Sequence, residues 1–247
     1  MRHKVDGVLL LDKPAGMTSN AALQKAKWLL QALKAGHTGT LDPFATGLLP
    51  LCFGEATKFS QYLLDADKTY RAELRLGVRT TTGDPEGEVV ESRPVEAIDI
   101  ARVEAVLPRF LGDILQIPPM HSALKRDGQP LYKLARKGIE VDRAARKVSV
   151  HDIEIVSLDA TSLVLRVHCG KGLYVRTLAE DIGTALGCGA SLSALRRESV
   201  GPFHIDDAIG LAELEAIAAD ARADELDPVD CLVDDLPRLD LDIESAW

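Results

Sequence analysis

Gly36-His37-Thr38-Gly39-Thr40-Leu41-Asp42-Pro43-Phe44-Ala45-Thr46-Gly47-Leu48-Leu49-Pro50 is the stretch on which the reading of this chain turns. Four glycines and prolines fall between Gly36 and Gly47, and no apolar period is sustained, so Gly36 to Leu49 is predicted to be a loop. Pro43 pushes Asp42 out of the α region into extended backbone, while Gly36, Gly39 and Gly47 permit tight turns beside it. The pattern holds a carboxylate out on a stiff loop. Local chemistry alone also accounts for an Asp-Pro pair as a simple Asx turn.

Towards the N-terminus, Val5 to Leu11 is an apolar run that meets Asp12-Lys13-Pro14-Ala15-Gly16, which predicts a buried strand ended by a turn. Thr18 or Ser19 then caps a helix to about Lys34, with Ala22, Leu23, Ala26, Leu29, Leu30 and Leu33 at helical spacing. Towards the C-terminus, Thr69 to Gly77 alternates, Tyr70, Ala72, Leu74 and Leu76 on one face and Arg71, Glu73 and Arg75 on the other. Thr80 to Glu88 is read as a hairpin or loop, and Asp99 as the cap of a helix to about Phe110. A short helix is expected from Pro130 to Gly138, strands over Lys147 to Leu158 and Ser162 to Cys169, a helix from Thr177 to Leu186 stopped by Gly187, and a last helix over Leu211 to Ala221. The fold class is therefore α+β.

Bulk properties narrow the function. The chain has 247 residues and 46% hydrophobic composition, with no apolar run of membrane-spanning length and no secretory segment, so a cytoplasmic protein is expected. Cys52, Cys169, Cys188 and Cys231 include no C-x-x-C pair and are read as reduced thiols. No histidine spacing suggests a metal site, and neither a P-loop nor a G-x-G-x-x-G is present. Neither a metal nor another cofactor is expected.

The net charge of −9 is unevenly placed. From Arg196 onward there are 4 basic and 15 acidic residues, which leaves 25 basic against 23 acidic in residues 1 to 195. Within Met120 to Lys147, 8 basic residues face 3 acidic ones, a phosphate-facing patch or an ordinary solvated surface.

The Gly36 to Pro50 motif is similar to the catalytic motif of the TruB-type tRNA pseudouridine-55 synthases. Other motifs of that family appear in order: Asp12-Lys13-Pro14 with Gly16, Thr18 and Ser19; Lys68-Thr69-Tyr70; the P-P-x-x-S-A-x-K and L-Y-x-x-A-R-x-G run from Pro118 to Gly138; a strand-to-helix segment from Lys171 to Leu178; and G-x-x-L-x-x-L-R-R from Gly189 to Arg197. Agreement extends from residue 5 to about 235. His121 departs from it, since related sequences often carry Tyr there.

The resemblance implies a pseudouridine synthase fold, a mixed and mostly antiparallel central sheet with flanking helices. It implies a catalytic domain over residues 1–230 carrying a basic RNA-binding insertion at about 118–147. Residues 231–247 would be a linker and the start of a truncated or missing C-terminal PUA-like RNA-binding domain. Asp42 is implied as the nucleophile that isomerises the uridine of the TΨC loop, after the base is flipped out. His37, Tyr70, Tyr174, Arg176 and Leu195 are implied as substrate-binding residues. Arg176 pairs with the aspartate in the family and keeps it ionised. Lys125, Arg126, Lys133 and Lys137 are the expected backbone contacts to the tRNA stem-loop. The stand-alone bacterial form implies a monomer with no obligate protein partner. Two other readings compete: a tRNA-binding and folding module with secondary or lost catalysis, and a glycoside hydrolase, for which only Glu55 stands near Asp42 in sequence as a second carboxylate.

Overall fold

The computed structural model describes residues 2–96, 98–126, 128–234 and 236–237. In chain order, β1 (Gly7–Lys13), α1 (Ser19–Leu29), β2 (Ala35–His37), β3 (Thr46–Phe53) and α2 (Ser60–Asp65) come first. Then follow β4 (Lys68–Leu76), β5 (Val78–Thr80), β6 (Val89–Ser92), α3 (Ile100–Val106), β7 (Gly112–Gln116), β8 (Lys125–Arg126), β9 (Gln129–Pro130) and α4 (Leu131–Ala135). Last are β10 (Arg146–Leu158), β11 (Ser162–Cys169), α5 (Val175–Leu186), β12 (Ala190–Val200), β13 (Phe203–His204), β14 (Ile209–Gly210) and α6 (Leu211–Ala216). Two compact units result: Met1–Pro43 with Gly47–Asp65 and Phe203–Trp247, and Phe44–Thr46 with Ala66–Pro202.

In the first unit, β1 runs antiparallel to β3, Leu9 opposite Leu51 and Leu11 opposite Leu49, and parallel to β14 at Leu11 and Ile209. Val8, Leu9 and Leu11 are wholly inaccessible to solvent, as are Leu48, Leu49 and Leu51 of β3, and each such side chain contributes roughly 1.5–3 kcal/mol of hydrophobic free energy. The α1 helix starts at Thr18, whose Oγ1 accepts from the Ala21 N–H at 3.1 Å. It buries Ser19, Ala22, Leu23, Ala26 and Leu29, a single stripe at 3.6-residue spacing.

In the second unit β12, β4, β11, β10 and β7 lie in that order, every neighbouring pair antiparallel. The alternation of β4 works as expected: Ala72, Leu74 and Leu76 are buried and Arg71 and Arg75 exposed. On that solvent face Arg166 joins Glu154 and Glu198, each at 3.0 Å. The α5 helix packs on β12 and β4. It ends at Gly187, whose φ of 87° is the left-handed conformation that stops a helix. With β1 and β14 parallel and β1–β3, β2–β3 and the strands of the second unit antiparallel, the sheet architecture is mixed and mostly antiparallel, an α+β fold.

Close approach of α5 to β12 depends on Gly183. A Cβ there would stand 2.2 Å from the Ala190 backbone nitrogen and 2.5 Å from the Ala190 Cβ, so backbone would have to move. Gly183→Ala is therefore expected to destabilise the protein by about 1–3 kcal/mol, seen as a Tm drop of roughly 2–12 °C in thermal unfolding. A Tm unchanged within a degree would contradict this packing.

Several local expectations are corrected. The predicted loop is confined to residues 38–45, because Ala35–His37 and Thr46–Phe53 are both drawn into pairing, Gly36 opposite Cys52 and Gly47 opposite Lys13. The α1 helix stops at Leu29, not Lys34. Gln31 turns to φ 49°, and residues 31–33 pair with His3 instead, leaving Leu33 59% exposed. Residues 171–174 form a turn and irregular segment rather than the end of a strand, since β11 finishes at Cys169. Pro130 is the cap of α4 rather than its first residue. The helix after Asp99 is α-helical to Val106 and completes its last turn as a 3-10 helix through Phe110. The last helix ends at Ala216, five residues early, because the Arg222 side chain donates to the carbonyls of Leu214, Glu215 and Ile217 and satisfies the helix end. Most of the expected linker and PUA-like start, residues 235 and 238–247, lies outside the described residues. No helix among the described residues is long and apolar enough to cross a membrane.

Candidate active site

Asp42 is half-buried on the loop between β2 and β3, and the loop is fixed on both sides of it. On one side, the Ser19 hydroxyl donates to the Leu41 carbonyl at 3.0 Å and accepts from the Leu41 N–H at 2.8 Å. On the other, the Pro43 carbonyl accepts from the Gly16 N–H at 2.8 Å and from Lys13 Nζ at 3.3 Å. Lys13 is wholly buried and also donates to the carbonyls of Pro14 and Met17, at 2.8 and 2.7 Å. A buried ammonium is strongly disfavoured unless its donors are taken up, so the carbonyls must stay where Lys13 holds them. Thr38 closes the loop's start, donating to the Pro50 carbonyl through N–H and hydroxyl at 3.2 and 3.3 Å. The N-terminal motif is thus the clamp on the aspartate's loop. His37 stands just before the loop, on β2 opposite Leu51.

The second unit carries the other expected residues. Tyr70 on β4 lies opposite Val167 on one side and Arg197 on the other. Leu195 lies opposite Ala72, so strand alternation puts Tyr70, Leu195 and Arg197 on one face of the sheet. Arg197 is 1% exposed, a guanidinium buried on the face that carries Leu195.

Tyr174 occupies the cap position of α5, and Arg176 lies in its first turn. Arg176 is buried and donates to the Thr82 carbonyl at 3.0 Å and the His121 carbonyl at 2.6 Å, with Asp84 Oδ2 at 3.4 Å as its carboxylate partner within the unit. Asp84 is locked in turn by the Thr82 hydroxyl and the Glu86 N–H. One turn along α5, burial raises the Glu180 carboxyl above its usual range, against the opposing pull of Arg79. Thr46, from the aspartate's own motif, belongs to this unit and accepts from Arg196 at 3.4 Å.

Lys125, Arg126, Lys133 and Lys137 are all exposed on the basic insertion. Arg143 and Lys147 are paired with Glu140 and Asp113, at 3.4 and 2.8 Å. Among the described residues Lys125, Lys133 and Lys137 have no carboxylate at ion-pair distance. Cys52 and Cys169 offer no competing nucleophile: burial pushes Cys52 up to about 11 and Cys169 to about 12, far from thiolate at neutral pH.

Sequence reasoning gave no site role to Lys13, Ser19, Asp84, Gln116 or Arg197. A lysine closing an apolar strand and an arginine in phase with Leu195 were readable signals; Asp84, in a polar turn, gave none.

Residues 27–175 match the model described as TruB family pseudouridylate synthase, N terminal domain, and residues 176–237 match the tRNA pseudouridylate synthase B C-terminal domain. The chain is 62% identical over 245 residues to tRNA pseudouridine synthase B of Thiobacillus denitrificans, covering 99% of this chain and 82% of that protein. It is 58% identical over 251 residues to that of Ectopseudomonas mendocina, covering 100% and 82%. Among solved structures it resembles a Cbf5-Nop10-Gar1 complex (TM-score 0.72, 32% identity, 92% of this chain) and an H/ACA RNP bound to a substrate RNA containing 2′-deoxyuridine (TM-score 0.68, 29% identity, 92% of this chain). It spans about three-fifths of those two chains, at 61% and 60%.

Proposed function

Since the chain belongs to the TruB family of pseudouridine synthases, we propose that it isomerises the uridine at position 55, in the TΨC loop of tRNA, to pseudouridine with Asp42 as nucleophile. The observation that carries this reading is the complete family motif on a loop whose residues on either side of Asp42 are tied down by Ser19 and Lys13. A nucleophile of this kind needs a fixed approach, and fixing its neighbours supplies it. Asp42 attacks the flipped-out nucleoside, the N1–C1′ bond breaks, the uracil turns, a C5–C1′ bond forms, and the bond to Asp42 breaks to return the free carboxylate. The C5 proton leaves and N1 takes one up, so the product is an isomer and no redox partner or group carrier is needed.

Tyr70 lies against the uracil ring, and Leu195 from the same face of the sheet gives it an apolar wall. Arg176 is the cation that the family sets with its nucleophile to hold it ionised. His37 and Tyr174 complete the uridine contacts. The stem-loop phosphates dock on Lys125, Arg126, Lys133 and Lys137, and the enzyme acts as a cytoplasmic monomer. Residues 1–230 make up the catalytic domain.

The direct test is incubation with an unmodified tRNA transcript followed by mapping of pseudouridine along it. One modified site, at position 55, is expected; a transcript left unmodified overturns the assignment. Replacing Lys125, Arg126, Lys133 and Lys137 together by Ala should weaken binding and make the slope of log K against log salt shallower by about 3, at roughly 0.7–0.9 per lost phosphate contact. The modified position should not change, since phosphate contacts carry no base information. An unaltered salt slope would identify the patch as solvated surface.

A further inference from the structure

The basic insertion leaves the sheet at Gln116 and returns at Arg146, which face each other as the last register pair of β7 and β10. Gln116 is 2% exposed, and its amide grips a residue 58 positions away. Its Nε2 donates to the Tyr174 carbonyl at 3.2 Å, and its Oε1 accepts from the Tyr174 N–H at 2.8 Å. Tyr174 caps α5 without any side-chain capping bond of its own. Gln116 thus gives the cap residue's N–H the acceptor that, in a capping box, the helix's own third residue supplies. A second tie runs beside the first, from Arg176 to the carbonyl of His121 at 2.6 Å, inside the same insertion.

We propose that Gln116 is a positioning residue for the isomerisation: it fastens the neck of the RNA-docking insertion to the peptide of Tyr174, and so fixes where the Tyr174 and Arg176 side chains stand. The proposal rests on the assignment of those two residues to the uridine site. An amide is suited to the task because it donates and accepts at once, and the Tyr174 peptide presents both a donor and an acceptor. A side chain with only one of the two functions leaves half of the peptide unheld. Gln116 itself touches no reacting atom; its effect passes through α5's first turn, where small misplacements carry large kinetic penalties.

The test compares wild type, Gln116→Met and Gln116→Glu in single-turnover isomerisation of a tRNA transcript, with tRNA Kd and Tm measured alongside. Gln116→Met keeps length but neither hydrogen bond, and its rate is expected to fall about 10–100-fold with Kd within about threefold. Gln116→Glu still accepts from the Tyr174 N–H, but regains a donor only when protonated. Its rate relative to wild type should therefore rise as pH falls, a signature that a purely structural loss does not produce. A Gln116→Met rate within about threefold of wild type overturns the proposal. So does a rate that falls only in step with Kd and Tm, with no pH signature in Gln116→Glu. A wild-type chain that makes no pseudouridine overturns the underlying assignment instead, a result distinct from either.

Discussion

Asp42→Asn is expected to abolish pseudouridine formation while leaving tRNA affinity within a few fold. The substitution is nearly isosteric, so the Ser19 and Lys13 ties on Leu41 and Pro43 have no reason to shift. An amide is a far poorer nucleophile than a carboxylate, and loss of a nucleophile elsewhere lowers turnover by about 10⁴–10⁶-fold. The measurement is pseudouridine formed under single-turnover conditions with saturating enzyme, which removes any contribution from binding. Turnover near the wild-type value would end the assignment of Asp42, whatever the transcript used. Binding lost together with turnover would instead show that the aspartate's main part is to hold the loop.

The sequence was most legible where period and punctuation agreed. The alternation from Tyr70 to Leu76 and the glycine after Leu186 specify β4 and the end of α5 almost to the residue, since one-sided burial leaves strand and helix little choice of register. It was least legible where side chains from distant segments decide the outcome. The Leu29, Leu30 and Leu33 spacing continues a helix on paper, yet residues 31–33 gain a pairing partner in His3 that no local pattern announces. Arg222 ends α6 by binding carbonyls up to eight residues away, and propensity does not encode that. The same holds for the site. Asp42 was conspicuous because a motif surrounds it, whereas Lys13 and Asp84 act through backbone and partners that fall beside them only after folding.

The second large effect is expected at Asp84. Its carboxylate and the Arg176 guanidinium are each 4% exposed and stand 3.4 Å apart, so removing one partner takes a short-range counter-charge out of a buried site. Asp84→Leu should destabilise the fold by about 3–5 kcal/mol, the usual cost of breaking a buried pair from one side. For a chain of this size that corresponds to a Tm lower by roughly 6–20 °C. Arg176 would keep its carbonyl partners Thr82 and His121 but lose the Asp84 carboxylate, and isomerisation should fall with it. Stability and chemistry can be separated by the double variant Asp84→Leu with Arg176→Met. Replacing both members of a buried pair by apolar groups is often neutral for stability, so Tm should recover most of its loss while activity stays low. Recovery of both would make the pair a structural device alone; recovery of neither would mean that its partners, and not the charge balance, set the stability of the turn around Asp84.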